Sequence, residues 1–384
     1  ISMNDMNAPI NTQRLAAVEQ SIALAKDLVD NFYVPDLLAI GKMYVEKGMI
    51  DGGGLAKKRV MSYGDYPDES YTGISDGDYH KKCIVRSNGV VENFALGVDK
   101  ATFIPLEGKD FMDPQYLSEE VDHSWFTYPN GTSTLHPIDG VTEPKFTGPK
   151  SGTKEKWEFL DEDKKYSWIK SPTFKGKTAE VGPLAKYIVV YTKVKQGIIK
   201  DPTWAEAMIV RQIDTVSQVL GVPAHVWMTT MVGRTACRGL DAQVAANISQ
   251  YFYNKLVTNI KNGDTAVADT TKFEPNTWPK DAKGVGLVDA PRGGLGHWIH
   301  IKDGRSANYQ CIVPSTWNAC PKTAANEHGA YEDAMIDTRV KIADKPLEIL
   351  KVIHSFDPCL ACATHLYNKQ GEKIVSVNTD ALCK

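Results

Sequence analysis

The longest regular pattern in the chain runs over 233–262, where Cys237, Leu240, Val244, Ile248, Phe252, Leu256 and Ile260 recur on one face at helical spacing. A helix of that length with a single apolar stripe reads as the central member of a helical core, not as a cofactor-binding face. Helices over 183–196 and 202–219 precede it. Near the start, Thr12 can cap a helix in which Leu15, Val18, Ile22, Ala25, Leu28 and Val29 keep a 3.6-residue period. Pro35 interrupts that pattern, so a kink or restart is expected before the helix resumes over 37–45. Gly52-Gly53-Gly54 is expected to end this helix and to mark a tight turn or a close backbone approach.

Between 58 and 150 the character changes. Gly, Asp and Pro recur every few residues, and the runs 82–86 and 90–98 read as the strands of a hairpin about Asn88-Gly89, within a small β-rich excursion. Two further β-like runs, 296–301 and 308–313, turn at Asp303-Gly304. A helix over 324–340 and a short one over 346–354 follow. No internal repeat or low-complexity linker divides the chain. The expected fold class is therefore α+β and predominantly α-helical, one domain of long core helices with small β insertions. A chain with 42% apolar residues, 24% charged residues and a net charge of −3 has the balance of a soluble globular protein. It has no broad basic excess, so nucleic acid is not an expected partner. No run of 18 apolar residues suggests a bilayer span. Its first residues lack the basic start and apolar stretch of a signal peptide, and the sequence is expected to begin mid-domain.

Seven cysteines stand at 83, 237, 311, 320, 359, 362 and 383, an odd count without the spacing of a disulfide framework. Five are isolated, and about four of those five read as small buried hydrophobes. Cys359 and Cys362 are different, because they form a CxxC in Asp357-Pro-Cys359-Leu-Ala-Cys362-Ala-Thr-His365. Spacing alone leaves three readings open: a thiol-redox pair, half of a zinc site, or half of a soft-metal site completed from elsewhere. Pro358 stiffens the approach, and His365 adds an imidazole three residues beyond Cys362. Upstream, Ala290-Pro-Arg292-Gly-Gly-Leu-Gly-His297-Trp298 surrounds a lone arginine with glycines, which lets backbone approach closely while the guanidinium projects.

Together these segments resemble nickel-iron hydrogenase large subunits of the membrane-bound respiratory uptake type. The first resembles their carboxy-terminal Asp-Pro-Cys-x-x-Cys-x-x-His motif and the second their arginine loop, while Cys311-Ile-Val-Pro-Ser-Thr-Trp-Asn318 resembles the segment around the iron's diatomic ligands. Tyr33-Val-Pro-Asp-Leu-Leu-Ala-Ile40, Gly52-Gly-Gly-Leu55, His136-Pro-Ile-Asp-Gly-Val-Thr-Glu-Pro144 and Glu180-Val-Gly-Pro-Leu184 extend the likeness along the chain, in family order. The resemblance implies that fold and the reversible oxidation of hydrogen to two protons and two electrons. The centre is nickel-iron, with carbon monoxide and two cyanides on iron. Cys359 would bind nickel, and Cys362 would bridge nickel and iron. Arg292 would serve as base and hydrogen-bond donor beside the centre, paired with Asp357, and the Cys359 thiolate is an alternative proton acceptor. Pro291, Val313, Pro314 and Ser315 would line the diatomic ligands, with Ser315 donating to a cyanide. His365 and the backbone carbonyl of Cys311 would hold magnesium.

The implied partners are an iron-sulfur small subunit carrying all of the clusters, a membrane cytochrome b and a maturation endopeptidase. The implied location is the periplasmic side of a membrane, reached by export with the small subunit. The sequence departs from the family pattern in two places. No Arg-x-Cys-Gly-x-Cys occurs, so two further thiolates are expected from an amino-terminal large-subunit segment carrying the first CxxC. Residues 366–384 continue past His365 and are expected to be an extension that the endopeptidase removes. Two other readings remain at this point: a cofactor-free structural relative, and a zinc or thiol CxxC protein. Metal analysis separates them.

Overall fold

The computed structural model describes residues 12–68, 82–147, 163–264, 270, 273–336, 338–342, 346–359, 366–367 and 373–375. The helices are α1 (Thr12–Leu28), α2 (Val34–Glu46), α3 (Leu55–Lys58), α4 (Pro183–Lys195), α5 (Trp204–Leu220), α6 (Ala224–Trp227), α7 (Met231–Lys261), α8 (Pro314–Asn318), α9 (Ala330–Ile336) and α10 (Leu347–Ser355). The expected restart at Pro35 takes the form of a π-helical turn, Val29–Tyr33, joining α1 to α2. Proline has no N–H to give, and at the first turn of α2 none is required of it.

Helix α7 organises the main core. Its Cys237, Leu240, Val244 and Ile248 are buried together with Leu184, Ile188 and Val189 of α4 and Ile209, Ile213 and Val216 of α5. α5 is pinned at its start by a reciprocal cap, in which Glu206 N–H donates to the Thr203 hydroxyl and Thr203 N–H donates to the Glu206 carboxylate. The distal half of the expected α7 stripe behaves differently. Phe252 and Leu256 remain about two-fifths exposed, because this half has α1 beside it and α1 buries no residue.

The β structure is a set of small antiparallel sheets. One places Gly89–Glu92 between Arg59–Ser62 and Thr102–Ile104, and a second places Leu117–Glu120 between Ser171–Phe174 and Thr134–Leu135. The third is a meander of Asp281–Ala290, Gly293–Lys302 and Arg305–Ile312. The expected turn at Asp303-Gly304 is present, with both residues at positive φ (49° and 72°). Its first strand, Asp281–Ala290, was not foreseen.

Three expectations need correction. The hairpin about Asn88-Gly89 does not form: Cys83–Val85 pairs with Asp65–Pro67, while Gly89–Glu92 pairs with Arg59–Ser62. The intervening Ser87 and Asn88 are buried and tied elsewhere. Asn88 donates to the Leu106 carbonyl and accepts from Lys193, and Ser87 donates to Asp289. Gly52–54 does not end the first helical run, since α2 stops at Glu46, two residues before Gly48 at φ 65°. The triplet is the close approach instead. A side chain on Gly53 would lie 2.5 Å from the Thr229 carbonyl, and one on Gly54 would lie 2.5 Å from the Ala334 nitrogen. Finally, the helix expected over 324–340 is confined to Ala330–Ile336. The preceding loop turns at Asn326 (φ 61°), where Asn326 N–H donates to the Thr323 carbonyl and Thr323 N–H to that of Glu327.

Candidate metal centre

The proximal end of α7 carries two arginines one turn apart, Arg234 and Arg238, and both reach the chain leaving α10. Arg234 is buried and fully engaged. It forms two bonds to the Glu180 carboxylate (2.7 and 2.8 Å) and donates to the carbonyls of Gly52 (2.5 Å) and Gly53 (2.8 Å). Its guanidinium carbon lies 3.9 Å from the centre of the Phe356 ring. One side chain therefore joins the glycine triplet, the 180–184 segment and the residue before Asp357.

Asp357 has φ 56°, a left-handed conformation that aspartate tolerates better than most residues. Its N–H donates to the His354 carbonyl (3.0 Å), and its two acceptor groups meet arginines. Arg292 Nε donates to the Asp357 backbone carbonyl at 2.7 Å and lies 3.1 Å from Asp357 Oδ2. Arg238 Nη2 donates to the Ser355 carbonyl (3.0 Å), while its Nε is 3.8 Å from the same Oδ2. Burial pushes the Arg238 guanidinium below its ordinary range, opposed by the Asp357 charge. Burial, and then the Asp357 carboxylate, pushes up the phenol of Tyr331, whose ring packs 4.6 Å from that of Phe356.

Arg292 is presented by a two-residue turn between paired Ala290 and Gly293. Gly293 (φ 119°) has no room for a side chain, since a Cβ would come within 2.3 Å of the Gly182 nitrogen. Gly294 is equally pressed against the Tyr63 ring, at 2.9 Å. The turn thus rests on Val181-Gly182, and Asn318 bonds both the N–H (3.0 Å) and the carbonyl (2.9 Å) of Val181. Among the described residues, Arg292 is engaged through Nε, which leaves its two terminal nitrogens as donors for a ligand.

The structure therefore brings Arg292 and Asp357 together, two residues before the half-buried Cys359. Cys362 and His365 lie outside the described residues. Pro291 is exposed beside Arg292. Val313 (exposed), Pro314 (buried) and Ser315 (half-buried) form the start of α8, and no described hydrogen bond joins them to Arg292. Cys311 is exposed on the meander, its sulfur 3.3 Å from His297 Nδ1, which also meets the Tyr309 hydroxyl. Cys83, Cys237 and Cys320 are interior thiols pushed up by burial, as expected of isolated cysteines, and Cys383 lies outside the described residues.

Sequence reasoning missed Arg234 and Arg238 as site residues. The available signal was Arg234-Thr-Ala-Cys-Arg238, two cations at helical spacing beside an apolar stripe. A second charged group, also unforeseen, is sealed in the interior. Lys186 of α4 contacts Asp65 (2.7 Å) and Asp241 of α7 (3.1 Å), and burial holds Lys186 down while the carboxylates more than offset it. Nearby Asp289 accepts from the Ser62 and Ser87 hydroxyls and from Tyr63 N–H, and its carboxyl is pushed up to about 6, first by burial.

The donor chemistry fits a soft-metal centre completed by further ligands. Among the described residues no three His, Cys, Asp or Glu side chains gather as a closed metal cage. What the loop offers is a thiol donor at Cys359, beside guanidinium donors suited to anionic ligands.

Comparison with known proteins places the chain in a family. The family model described as nickel-dependent hydrogenase matches residues 1–365. The chain is 43% identical over 370 residues to the uptake hydrogenase large subunit of Rhizobium leguminosarum bv. viciae, covering 96% of this chain and 58% of that protein. It is 41% identical to the hydrogenase-1 large chain of Escherichia coli, with the same two shares. The chain thus spans 58% of the length of these curated relatives. Among solved structures it resembles the nickel-iron-selenium hydrogenase of Desulfovibrio vulgaris Hildenborough in the reduced state. The TM-score is 0.66 at 24% identity, over 93% of this chain and 62% of that one. A reduced, active nickel-iron-selenium hydrogenase from Desulfomicrobium baculatum gives a TM-score of 0.65 at 24% identity, over the same shares.

Proposed function

Because this chain belongs to the nickel-dependent hydrogenase family, we propose that it forms the metal-binding carboxy-terminal part of an uptake hydrogenase large subunit. The reaction is the reversible oxidation of hydrogen to two protons and two electrons. The observation that carries this reading is the Arg292–Asp357 pair, which meets immediately before Cys359 and leaves donors of Arg292 unspent.

A nickel-iron centre with carbon monoxide and two cyanides on iron supplies the heterolytic cleavage of hydrogen when bound. Cys359 would hold nickel, Cys362 would bridge nickel and iron, and two further thiolates would come from a segment carrying the other CxxC. Arg292, held through Nε, would offer its terminal nitrogens to the anionic ligands of such a centre, where a fixed cation favours developing negative charge. The Cys359 sulfur, a thiolate when it holds a metal, would take the proton, since a guanidinium cation has no free electron pair to accept one. Ser315, at the start of α8, would donate to a cyanide, with Pro291, Val313 and Pro314 as apolar lining. His365 and the Cys311 carbonyl would hold magnesium.

The sequence has no cysteine set for iron-sulfur clusters, so electrons would leave through an iron-sulfur small subunit. A membrane cytochrome b, the periplasmic side of a membrane and removal of 366–384 by a maturation endopeptidase complete the proposal. Among the described residues no helix is long and apolar enough to cross a membrane. The decisive test is metal analysis of the assembled protein and of its Cys359→Ser variant. Nickel and iron with hydrogen uptake in the parent, and loss of nickel in the variant, are the expected results. Zinc or no metal in the parent would sink the proposal.

A further inference from the structure

Two arginines approach Asp357, and the resemblance accounts for one of them. Arg238 comes from the interior helix α7, and among the described residues its Nε is buried without a hydrogen-bond partner. A buried guanidinium nitrogen left unpaired is costly, so its surroundings are informative. Its charged neighbour is Asp357 Oδ2 at 3.8 Å, the same oxygen that lies 3.1 Å from Arg292 Nε. Arg238 is at the same time fixed by its bond to the Ser355 carbonyl and by its place one turn from Arg234, which is locked by five acceptor and ring contacts around Glu180, Gly52, Gly53 and Phe356.

From this geometry we infer that Arg238 is a positioning residue for Arg292, acting through Asp357. The rigid α7 carries Arg238, Arg238 attracts and orients the Asp357 carboxylate, and Asp357 in turn fixes Arg292 at Nε so that its terminal nitrogens keep one direction. The arrangement explains why Asp357 adopts a left-handed backbone. That conformation lets the carbonyl face Arg292 while the carboxylate lies between the two guanidinium groups. Arg238 touches no reacting atom in this scheme. Its effect is transmitted by one carboxylate.

The inference rests on the hydrogenase reading, and the test separates the two. Arg238→Gln, Asp357→Asn and the double variant are prepared in the nickel-loaded holoenzyme with all of its chains. Three quantities are measured: hydrogen-oxidation kinetics, nickel content, and the rate at which phenylglyoxal modifies Arg292, read by mass spectrometry. Arg238→Gln should lower kcat about tenfold with KM for hydrogen and nickel content unchanged, and should speed Arg292 modification severalfold. Adding Arg238→Gln to Asp357→Asn should cause no further change in either kcat or modification rate, because the carboxylate that transmits the effect is already gone. Arg238→Lys, which keeps the charge, should recover part of the kcat. Additive losses in the double variant, or an Arg292 modification rate that does not respond, would overturn the inference. A parent holoenzyme with no nickel or no hydrogen oxidation would instead overturn the functional reading.

Discussion

The molecule holds two constellations of charge, and they are built on opposite terms. In the interior, Lys186 and the carboxylates of Asp65, Asp241 and Asp289 are sealed from water, and the described hydrogen bonds occupy their polar atoms. At the Arg292 turn, the side chains of Arg292 and Asp357 are about two-fifths exposed, and donors remain unspent. A buried charge survives only when its partners repay desolvation, so the first group serves architecture by tying α4 to α7 and to Asp65. A charge at a half-open edge can keep bonding capacity for a ligand. Saturation, more than charge itself, separates structural ion pairs from a site.

That contrast can be tested by perturbing each side in turn. Lys186→Met should do the most damage, because it leaves Asp65 and Asp241 facing one another without a cation. A loss of about 3–5 kcal/mol of unfolding free energy is expected by chemical denaturation. A loss below about 1 kcal/mol would show that the interior group is not the structural tie claimed for it.

Asp289 gives a pH-dependent version of the same test. Its folded-state carboxyl is raised to about 6, so the native state binds the extra proton and stability falls as pH rises from about 4 to about 6. Asp289→Asn should remove a contribution on the order of 3 kcal/mol across that window, flattening the profile. An unchanged slope in thermal midpoints from pH 4 to pH 7 would contradict the assignment.

Arg292→Lys probes the other side. A lysine cannot bond through a fixed Nε and still present two terminal nitrogens. Hydrogen oxidation should fall about hundredfold while the thermal midpoint moves by only a few degrees. The reverse pattern, intact turnover with a large stability loss, would make this turn structural like the interior group.

The smallest effect is expected where neither kind of demand exists. Phe252→Ser, on the exposed distal half of α7, should change the stability of this chain by no more than about 0.5 kcal/mol. A larger loss would mean that the distal half is packed more tightly than its exposure indicates.

How much of this was legible beforehand differs by residue. The CxxC segment and the glycine-flanked Arg292 were visible because their information is local, residue types at fixed spacing; what the glycines press against, Gly182 and Tyr63, was not. Helix α7 followed from its periodicity, and the ends expected for α4, α5 and α7 were met to within two residues. Strand partners were not legible. An alternating run shows that one face is buried, but not which strand it pairs with, and Ser87 and Asn88 bond to distant groups in place of closing a hairpin. Arg234 and Arg238 were passed over for a similar reason. A helix pattern reveals a face, but not what meets it.

The amino-acid sequence by itself determined the chemistry on offer: a Cys359–Cys362 thiol pair, a lone arginine on a stiff turn, a long apolar helix and the family to which they belong. Those properties reside in neighbouring residues, where covalent geometry and side-chain type suffice. Only the tertiary structure decided that α7 delivers Arg238 to Asp357, that Asp357 holds Arg292 from 65 residues away, and that Lys186 is saturated while Arg292 is not. Such facts depend on which distant groups share a desolvated volume, and that is settled by packing.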